Sequence, residues 1–282
     1  MKHIESVAEM KAVCREITRR GRTLGFVPTM GALHEGHASL VRASKAQCQA
    51  TAVSIFVNPL QFGPTEDLDK YPRTMERDSK LLQELGVDVL YAPTVSEMYP
   101  PGATTYVEVS GISDRLDGAS RPGHFRGVAT VVAKLFEIVR PDRAFFGQKD
   151  AAQVAVLRRM VRDLDVDLQL VVCPIVREKD GLAMSSRNAY LNPDERKQAL
   201  VLNRSLMRVQ HVANGGELDA AKLIATGKSV IAEEPAARLD YFAIVDPDTL
   251  EAVSDVSRGA LVAVAAYVGA TRLIDNVLLA PR

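Results

Sequence analysis

The sequence is short of the features that mark several protein classes. Its three cysteines, Cys14, Cys48 and Cys173, are scattered, odd in number and without C-x-x-C spacing, which argues against a disulfide framework or a structural zinc site. No uncharged run approaches the roughly 18 residues needed to span a membrane. Met1-Lys2-His3-Ile4-Glu5-Ser6 carries no apolar signal core, so a cytoplasmic location is the expectation. Charge of neither sign predominates: Lys plus Arg and Asp plus Glu both total 35, and aromatic residues make up only 5%. Nucleic-acid platforms carry a basic surplus and stacking aromatics, so small-molecule partners are expected, with neither nucleic acid nor membrane among them.

What the sequence does have is an ordinary globular composition, 47% hydrophobic and 25% charged over 282 residues. That length is where a second domain becomes common. Apolar runs recur at Thr23–Val27, Ala50–Val57, Val87–Ala92, Arg143–Phe146 and Asp167–Cys173. Helical patterns separate most of them, and a first helix is expected near Val7–Thr18. Such alternation predicts an α/β, Rossmann-like parallel sheet with helices on both faces. Gly127–Val139 reads as a crossover helix, with Val128, Val131, Val132, Leu135 and Val139 as its apolar stripe and Pro141 as its stop. The charged turn Arg177-Glu178-Lys179-Asp180-Gly181 places a boundary after Val176. Residues 1–176 then form the larger domain and 177–282 a smaller C-terminal α/β domain. Asn192-Pro193-Asp194-Glu195 is a strong helix start. A helix to about Ala213, a second near Asp219–Glu233 and strands at Leu239–Val245, Leu261–Val268 and Leu273–Leu279 complete the smaller domain.

Ligands of open parallel sheets bind beyond the carboxyl ends of the strands, and Met30–His37, Asn58–Gly63 and Gly147–Asp150 all fall there. In the first, an apolar strand runs through a glycine turn into a helix that carries both histidines on its first turn, with Leu40, Val41, Ser44 and Cys48 at helical spacing after His37. His34 and His37 lie three apart and share a face. Free backbone N–H groups at a helix start favour an anion, and Gly31 and Gly36 permit close approach of a nucleotide. Lys149 can hold a phosphate as a point charge. Two roles are open for Asp150, a ribose or metal contact and the N-cap of a helix at Ala151–Val161, and Gln153 lies one turn further on. Gly181-Leu182-Ala183-Met184-Ser185-Ser186-Arg187-Asn188 offers hydroxyls and a guanidinium suited to triphosphate oxygens, or a solvated turn. Asn58 and Gln61 present amides suited to a hydroxylated substrate, or to turn capping. The Arg121–Gly127 loop, with Arg121 and His124, is either a carboxylate receptor or plain surface.

Pro28-Thr29-Met30-Gly31-Ala32-Leu33-His34-Glu35-Gly36-His37, Asn58-Pro59-Leu60-Gln61-Phe62-Gly63, Tyr71-Pro72-Arg73-Thr74, Phe146-Gly147-Gln148-Lys149-Asp150 and Met184-Ser185-Ser186-Arg187-Asn188 occur in that order between Gly21 and Leu191. Together they resemble the pantothenate synthetase family of the cytidylyltransferase-like superfamily. Beyond them the resemblance thins to Thr271-Arg272-Leu273-Ile274-Asp275-Asn276. It implies ATP-dependent joining of pantoate to β-alanine through a pantoyl-adenylate, with release of AMP and pyrophosphate, by a homodimer. Carried over by motif, Met30, Gly31, Ala32, Leu33, His34, Glu35, Gly36, His37, Gly147, Gln148, Lys149, Asp150, Val176, Met184, Ser185, Ser186 and Arg187 contact ATP. His37 is the implied proton donor, with His34 and Lys149 beside it. Gln61 and Gln153 hold pantoate, Gln61 also neighbouring β-alanine. At Gln148 the family commonly carries glutamate. The chemistry agrees: charge that develops on phosphoryl oxygens is met by fixed cations and N–H donors, and no covalent nucleophile is needed. Mg²⁺ is expected mainly on the phosphates, with Asp78 and Asp150 as candidate ligands. Rival readings are another nucleotidyl or adenylyl transferase of this fold, an RNA-binding relative of tRNA-charging enzymes, and a non-catalytic nucleotide sensor. Gln61, Gln153 and Ser185-Ser186-Arg187 weigh against the first, charge balance against the second, and the presence of His37 and Lys149 against the third.

Overall fold

The computed structural model describes residues 1–64 and 66–282. Its elements are β1 (Lys2–Ile4), α1 (Val7–Arg19), β2 (Leu24–Thr29), α2 (Glu35–Gln47), β3 (Ala50–Ile55), α3 (Met75–Glu84), β4 (Val89–Tyr91), α4 (Val95–Met98), α5 (Asp117–Ser120), α6 (His124–Val139), β5 (Arg143–Gly147), α7 (Ala151–Asp163) and β6 (Gln169–Cys173). The C-terminal part adds α8 (Pro193–Asn214), α9 (Ala220–Ala232), β7 (Ala237–Val245), β8 (Ala260–Val268) and β9 (Thr271–Leu279). The expected strands and major helices are all present. β1 and the helices α3, α4 and α5 had not been anticipated, and β4 is shorter than the apolar run that announced it.

The first six strands form one parallel sheet in the order β1-β4-β3-β2-β5-β6. Chain order reverses at β2, with β3 and β4 on one side and β5 and β6 on the other, so the crevice for a ligand opens beyond the ends of β2, β3 and β5. The β2–β5 pairing ends at Phe26↔Ala144, whereas β2–β3 continues to Thr29↔Ile55. Pro28 has no N–H to donate and stands where the β5 side no longer asks for one.

One core lies between the sheet and α1, α6 and α7, where Phe26, Phe125, Leu135, Phe146 and Leu157 are buried. A second packs Val27, Val53 and Leu90 against Leu40 and Val41 of α2 and Leu82 of α3. In the C-terminal part, α8 and α9 cover the antiparallel sheet β7-β8-β9. Val245, Leu250, Leu261 and Ala263 from that part join the first core, so apolar packing runs across the charged turn at Arg177–Gly181. Among the described residues, no helix is long and apolar enough to cross a membrane.

Candidate active site

The loop after β2 is held in a demanding conformation. Gly31 has φ +83° and Ala32 φ +49°, and the left-handed region costs an alanine about 1 kcal/mol. Asp78 of α3, 1% exposed, holds it there. Its Oδ2 accepts from the Ala32 N–H at 2.8 Å and its Oδ1 from the Leu33 N–H at 2.9 Å, while Thr74 Oγ1 donates to Oδ2 at 3.1 Å. Both carboxylate oxygens are therefore committed to the loop, which corrects the expectation of Asp78 as a Mg²⁺ ligand.

The helix that follows starts at Glu35 with His34 as its N-cap, so both histidines stand at the helix start as expected. His34 Nδ1 accepts from the Gly36 N–H at 3.1 Å, and His37 Nδ1 accepts from the His34 N–H at 3.3 Å. The two imidazoles thus form a reciprocal capping box. A Cβ at Gly36 would lie 2.8 Å from the His34 ring, so this glycine makes room for the cap. With each Nδ1 accepting, the hydrogen-bond pattern assigns the ring proton to Nε2 in both. Burial, and then the Lys149 charge, push His34 down to about 4. Burial and then His34 push His37 down to about 3. Both rings are neutral N–H donors near neutral pH and line one cavity, where open backbone N–H groups had been expected. The Leu33 side chain belongs to the core, and Glu35 pairs outward with Arg42 at 2.6 Å, so neither side chain faces the cavity.

The opposite wall depends on Asn58, 1% exposed. Its Oδ1 accepts from Tyr99 Oη at 2.8 Å and the Leu60 N–H at 3.3 Å, while its Nδ2 donates to Gln61 Oε1 and the Gly127 carbonyl, each at 3.1 Å. Helix α6 comes this close only because a Cβ at Gly127 would lie 2.1 Å from the Leu60 carbonyl oxygen. Asn58 is saturated and acts by orienting Gln61. Arg121, expected as a carboxylate receptor, already grips Glu66 at 2.8 and 2.6 Å. His124 Nδ1 donates to the Gln61 carbonyl at 2.8 Å, and its Nε2 faces Arg121 at 3.1 Å. Burial and then the Arg121 charge push His124 down to about 4. In this arrangement both residues brace Gln61, and Arg121 ties it to Glu66.

At the end of β5, a Cβ on Gly147 would meet no protein atom within 4 Å, leaving room for a ligand against the main chain. Lys149 Nζ lies 3.5 Å from Asp150 Oδ1. Asp150 makes no side-chain cap to α7, which removes its capping role, and Gln148 turns away to Asn276 Oδ1 at 3.1 Å. The charged turn is a short hairpin, closed by Met184 N–H to the Val176 carbonyl at 3.0 Å and Glu178 N–H to the Leu182 carbonyl at 2.8 Å. It delivers Ser185, Ser186 and Arg187. Ser186 Oγ donates to the Ala32 carbonyl at 3.1 Å, and Arg187 holds Asp67 in two hydrogen bonds of 3.0 and 2.9 Å. The cavity of about 240 Å³ is lined by Met30, Gln61, Gln153 and Val176 as well as the two histidines, Lys149, Asp150 and Met184–Arg187. A neighbouring cavity of about 580 Å³ shares Arg121, His124, Lys149, Gln153 and Arg187 with it.

The sequence matches the family described as pantoate-beta-alanine ligase over residues 2–278. The chain belongs to the pantoate-beta-alanine ligase family. It is 64% identical to the pantothenate synthetase of Acidobacterium capsulatum, with 99% of this chain and 97% of that protein covered. Identity to the pantothenate synthetase of Koribacter versatilis is 61%, with 99% and 96% covered. The crystal structure of pantothenate synthetase from Thermus thermophilus superposes with a TM-score of 0.95 at 49% identity, each chain covered completely. Pantoate-beta-alanine ligase from Francisella tularensis, complexed with beta-gamma ATP and beta-alanine, gives a TM-score of 0.82 at 33% identity over 99% of this chain and 97% of that one.

In this member of the ligase family, the residues that the sequence did not single out are Glu66 and Asp67, which hold the two arginines, and Tyr71. Tyr71 is buried and lines the cavity. Its motif was visible; the acid–arginine pairs, between residues 55 and 120 positions apart, leave no local signal. Among the described residues there is no group of three or more His, Cys, Asp or Glu that would hold a metal alone.

The buried imidazoles set an expected pH dependence of stability. Unfolded histidines take up protons near pH 6.5, whereas His34, His37 and His124 do so only at about 4, 3 and 4 when folded. Between those limits the unfolded chain binds more protons, so stability falls as pH drops below about 6.5. Urea midpoints between about pH 7.5 and pH 5 measure this, and a constant midpoint would contradict it.

Proposed function

We propose that this ligase carries out its ATP-dependent formation of pantothenate in two steps at this single cavity. A pantoate carboxylate oxygen attacks the α-phosphorus of ATP, the bond to the bridging oxygen breaks, and pyrophosphate leaves. The β-alanine amine then attacks the acyl carbon, the acyl–oxygen bond breaks, and AMP leaves as the amine proton is lost. The observation that carries this reading is the convergence of two Nε2–H donors, Lys149 and the Ser185–Arg187 loop around one space at the ends of β2, β3 and β5.

Negative charge grows on the phosphoryl oxygens and the departing pyrophosphate in the first step. Preorganised donors stabilise it without reorganising. His34 and His37 supply neutral hydrogen bonds there, Lys149 a positive charge, and Ser185, Ser186 and Arg187 the enclosure. Gln61, oriented by Asn58, and Gln153 hold pantoate. The second step is a positioning task. Mg²⁺ fits as a companion of the nucleotide: among the described residues Asp150 is the one carboxylate that lines this cavity, so phosphates would supply most ligands. Residues 177–282 serve as the lid that brings the hydroxyl loop over the triphosphate.

Pyrophosphate exchange into ATP, with pantoate present and β-alanine omitted, tests this reading. Exchange that requires pantoate supports it; ATP binding without exchange for any small carboxylate would shift the assignment to another nucleotidyl transferase. His37→Ala is expected to slow exchange much more than the reaction of preformed pantoyl-adenylate with β-alanine. Equal losses in both half-reactions would point to general positioning.

A further inference from the structure

Strand β9 crosses beneath two loops of the proposed site, and the adjacent residues Asp275 and Asn276 are each only 3% exposed. Successive strand residues point to opposite faces, and each of these serves a different loop. Asn276 Nδ2 donates to the Gln148 carbonyl at 3.0 Å and the Lys149 carbonyl at 2.9 Å, while its Oδ1 accepts from Gln148 Nε2 at 3.1 Å. One buried amide thus fixes the turn from which Lys149 projects. Asp275 accepts from Arg177 Nη1 at 2.6 Å and Nη2 at 2.9 Å. Arg177 stands at the base of the hairpin that delivers Ser185–Arg187, and its Nη1 also donates to the Gly181 carbonyl at 3.1 Å.

Neither side chain lines the cavity that holds the two histidines, although Asp275 borders the neighbouring one, and a buried polar pair with every hydrogen bond placed is a costly arrangement to keep for packing alone. We propose that Asp275-Asn276 is a positioning pair that sets Lys149 and the Ser185–Arg187 loop in mutual register, Asn276 acting through the lysine turn and Asp275 through Arg177. This rests on the two-step reading above. Because the two residues are covalent neighbours on one strand, a shift of β9 moves both loops together. The C-terminal sheet therefore takes part in aligning the nucleotide as well as covering it.

The test is a double-mutant cycle on pantoate-dependent pyrophosphate exchange, with thermal unfolding followed on every variant. Asn276→Ala is expected to lower the exchange kcat by about a hundredfold with a smaller change in KM, since misplacement of a catalytic group by about 1 Å has that scale of effect. In a Lys149→Ala background the same change is expected to cost less than about twofold, because the group it positions is gone. Asn276→Ser, which keeps one donor, is expected to fall between wild type and Asn276→Ala and carries the cycle if the alanine variant does not fold. Asp275→Asn gives the parallel cycle with Arg187→Ala. Equal fold-losses in both backgrounds, or unchanged exchange in Asn276→Ala, overturn the positioning role while the functional reading stands. A wild-type chain that shows no exchange overturns both.

Discussion

Lys149→Ala is expected to reduce pantoate-dependent adenylate formation by at least tenfold, and by on the order of a hundredfold if it meets charge that develops in the transition state. The argument is one of availability. Three cationic side chains line the main cavity, and Arg121 and Arg187 are each hydrogen-bonded twice to a carboxylate, Glu66 and Asp67. Among the described residues Lys149 has only Asp150, at 3.5 Å, so its charge is the least compensated of the three. Its removal also relieves part of the depression of His34 and His37, although burial, the larger cause, remains. Both imidazoles then protonate at somewhat higher pH, and the acidic limb of the variant's activity should move upward. Single-turnover AMP formation measures the loss. A wild-type rate in a folded variant would remove the lysine from the mechanism.

The second large effect is expected at Asp78. Asp78→Ala withdraws the acceptor from the Ala32 and Leu33 N–H groups and from Thr74 in a site that is 1% exposed. Each buried donor left unpaired costs about 1–3 kcal/mol. A loss of about 3 kcal/mol corresponds to a fall in Tm of roughly 6–12 °C for a chain approaching this size. The left-handed turn at Ala32 loses its anchor as well, so ATP affinity should fall with stability. Asp78→Asn, which keeps one acceptor oxygen but turns an NH₂ toward a donor, should lie between. Thermal unfolding and ATP titration decide it, and a Tm and Kd both equal to wild type would show that the loop holds itself.

These two residues differ in how readable they are from sequence. Lys149 follows an apolar strand and precedes a helix, and that local pattern carries it to the mouth of the sheet. Asp78 acts on residues 45 and 46 positions away, and nothing near it in sequence points to the loop. The same contrast holds elsewhere. Asn192-Pro193-Asp194-Glu195 carried every local signal of a helix start, and α8 begins there with a capping box. The start of α2 was legible as a turn that carries both histidines, but histidine is not among the usual capping residues, so their part as the cap was visible only once both rings were seen turned onto the backbone. β1 is three residues long, too short for periodicity to register, yet its parallel pairing with β4 completes that side of the sheet. Arg121 and Arg187 were recognisable as cations, but which carboxylates they hold is settled by folding over long range.

The histidine capping box separates the inheritance of this fold from the inheritance of its chemistry. Each ring gives one nitrogen to the backbone and keeps the other for the cavity. Glutamine at position 37 or asparagine at position 34 would still satisfy the helix start, so a descendant carrying either would keep its sheet, its helices and its pocket. Loss of the reaction would leave no scar in the architecture, and a silent copy of this enzyme would be told from a working one by those two positions before any other.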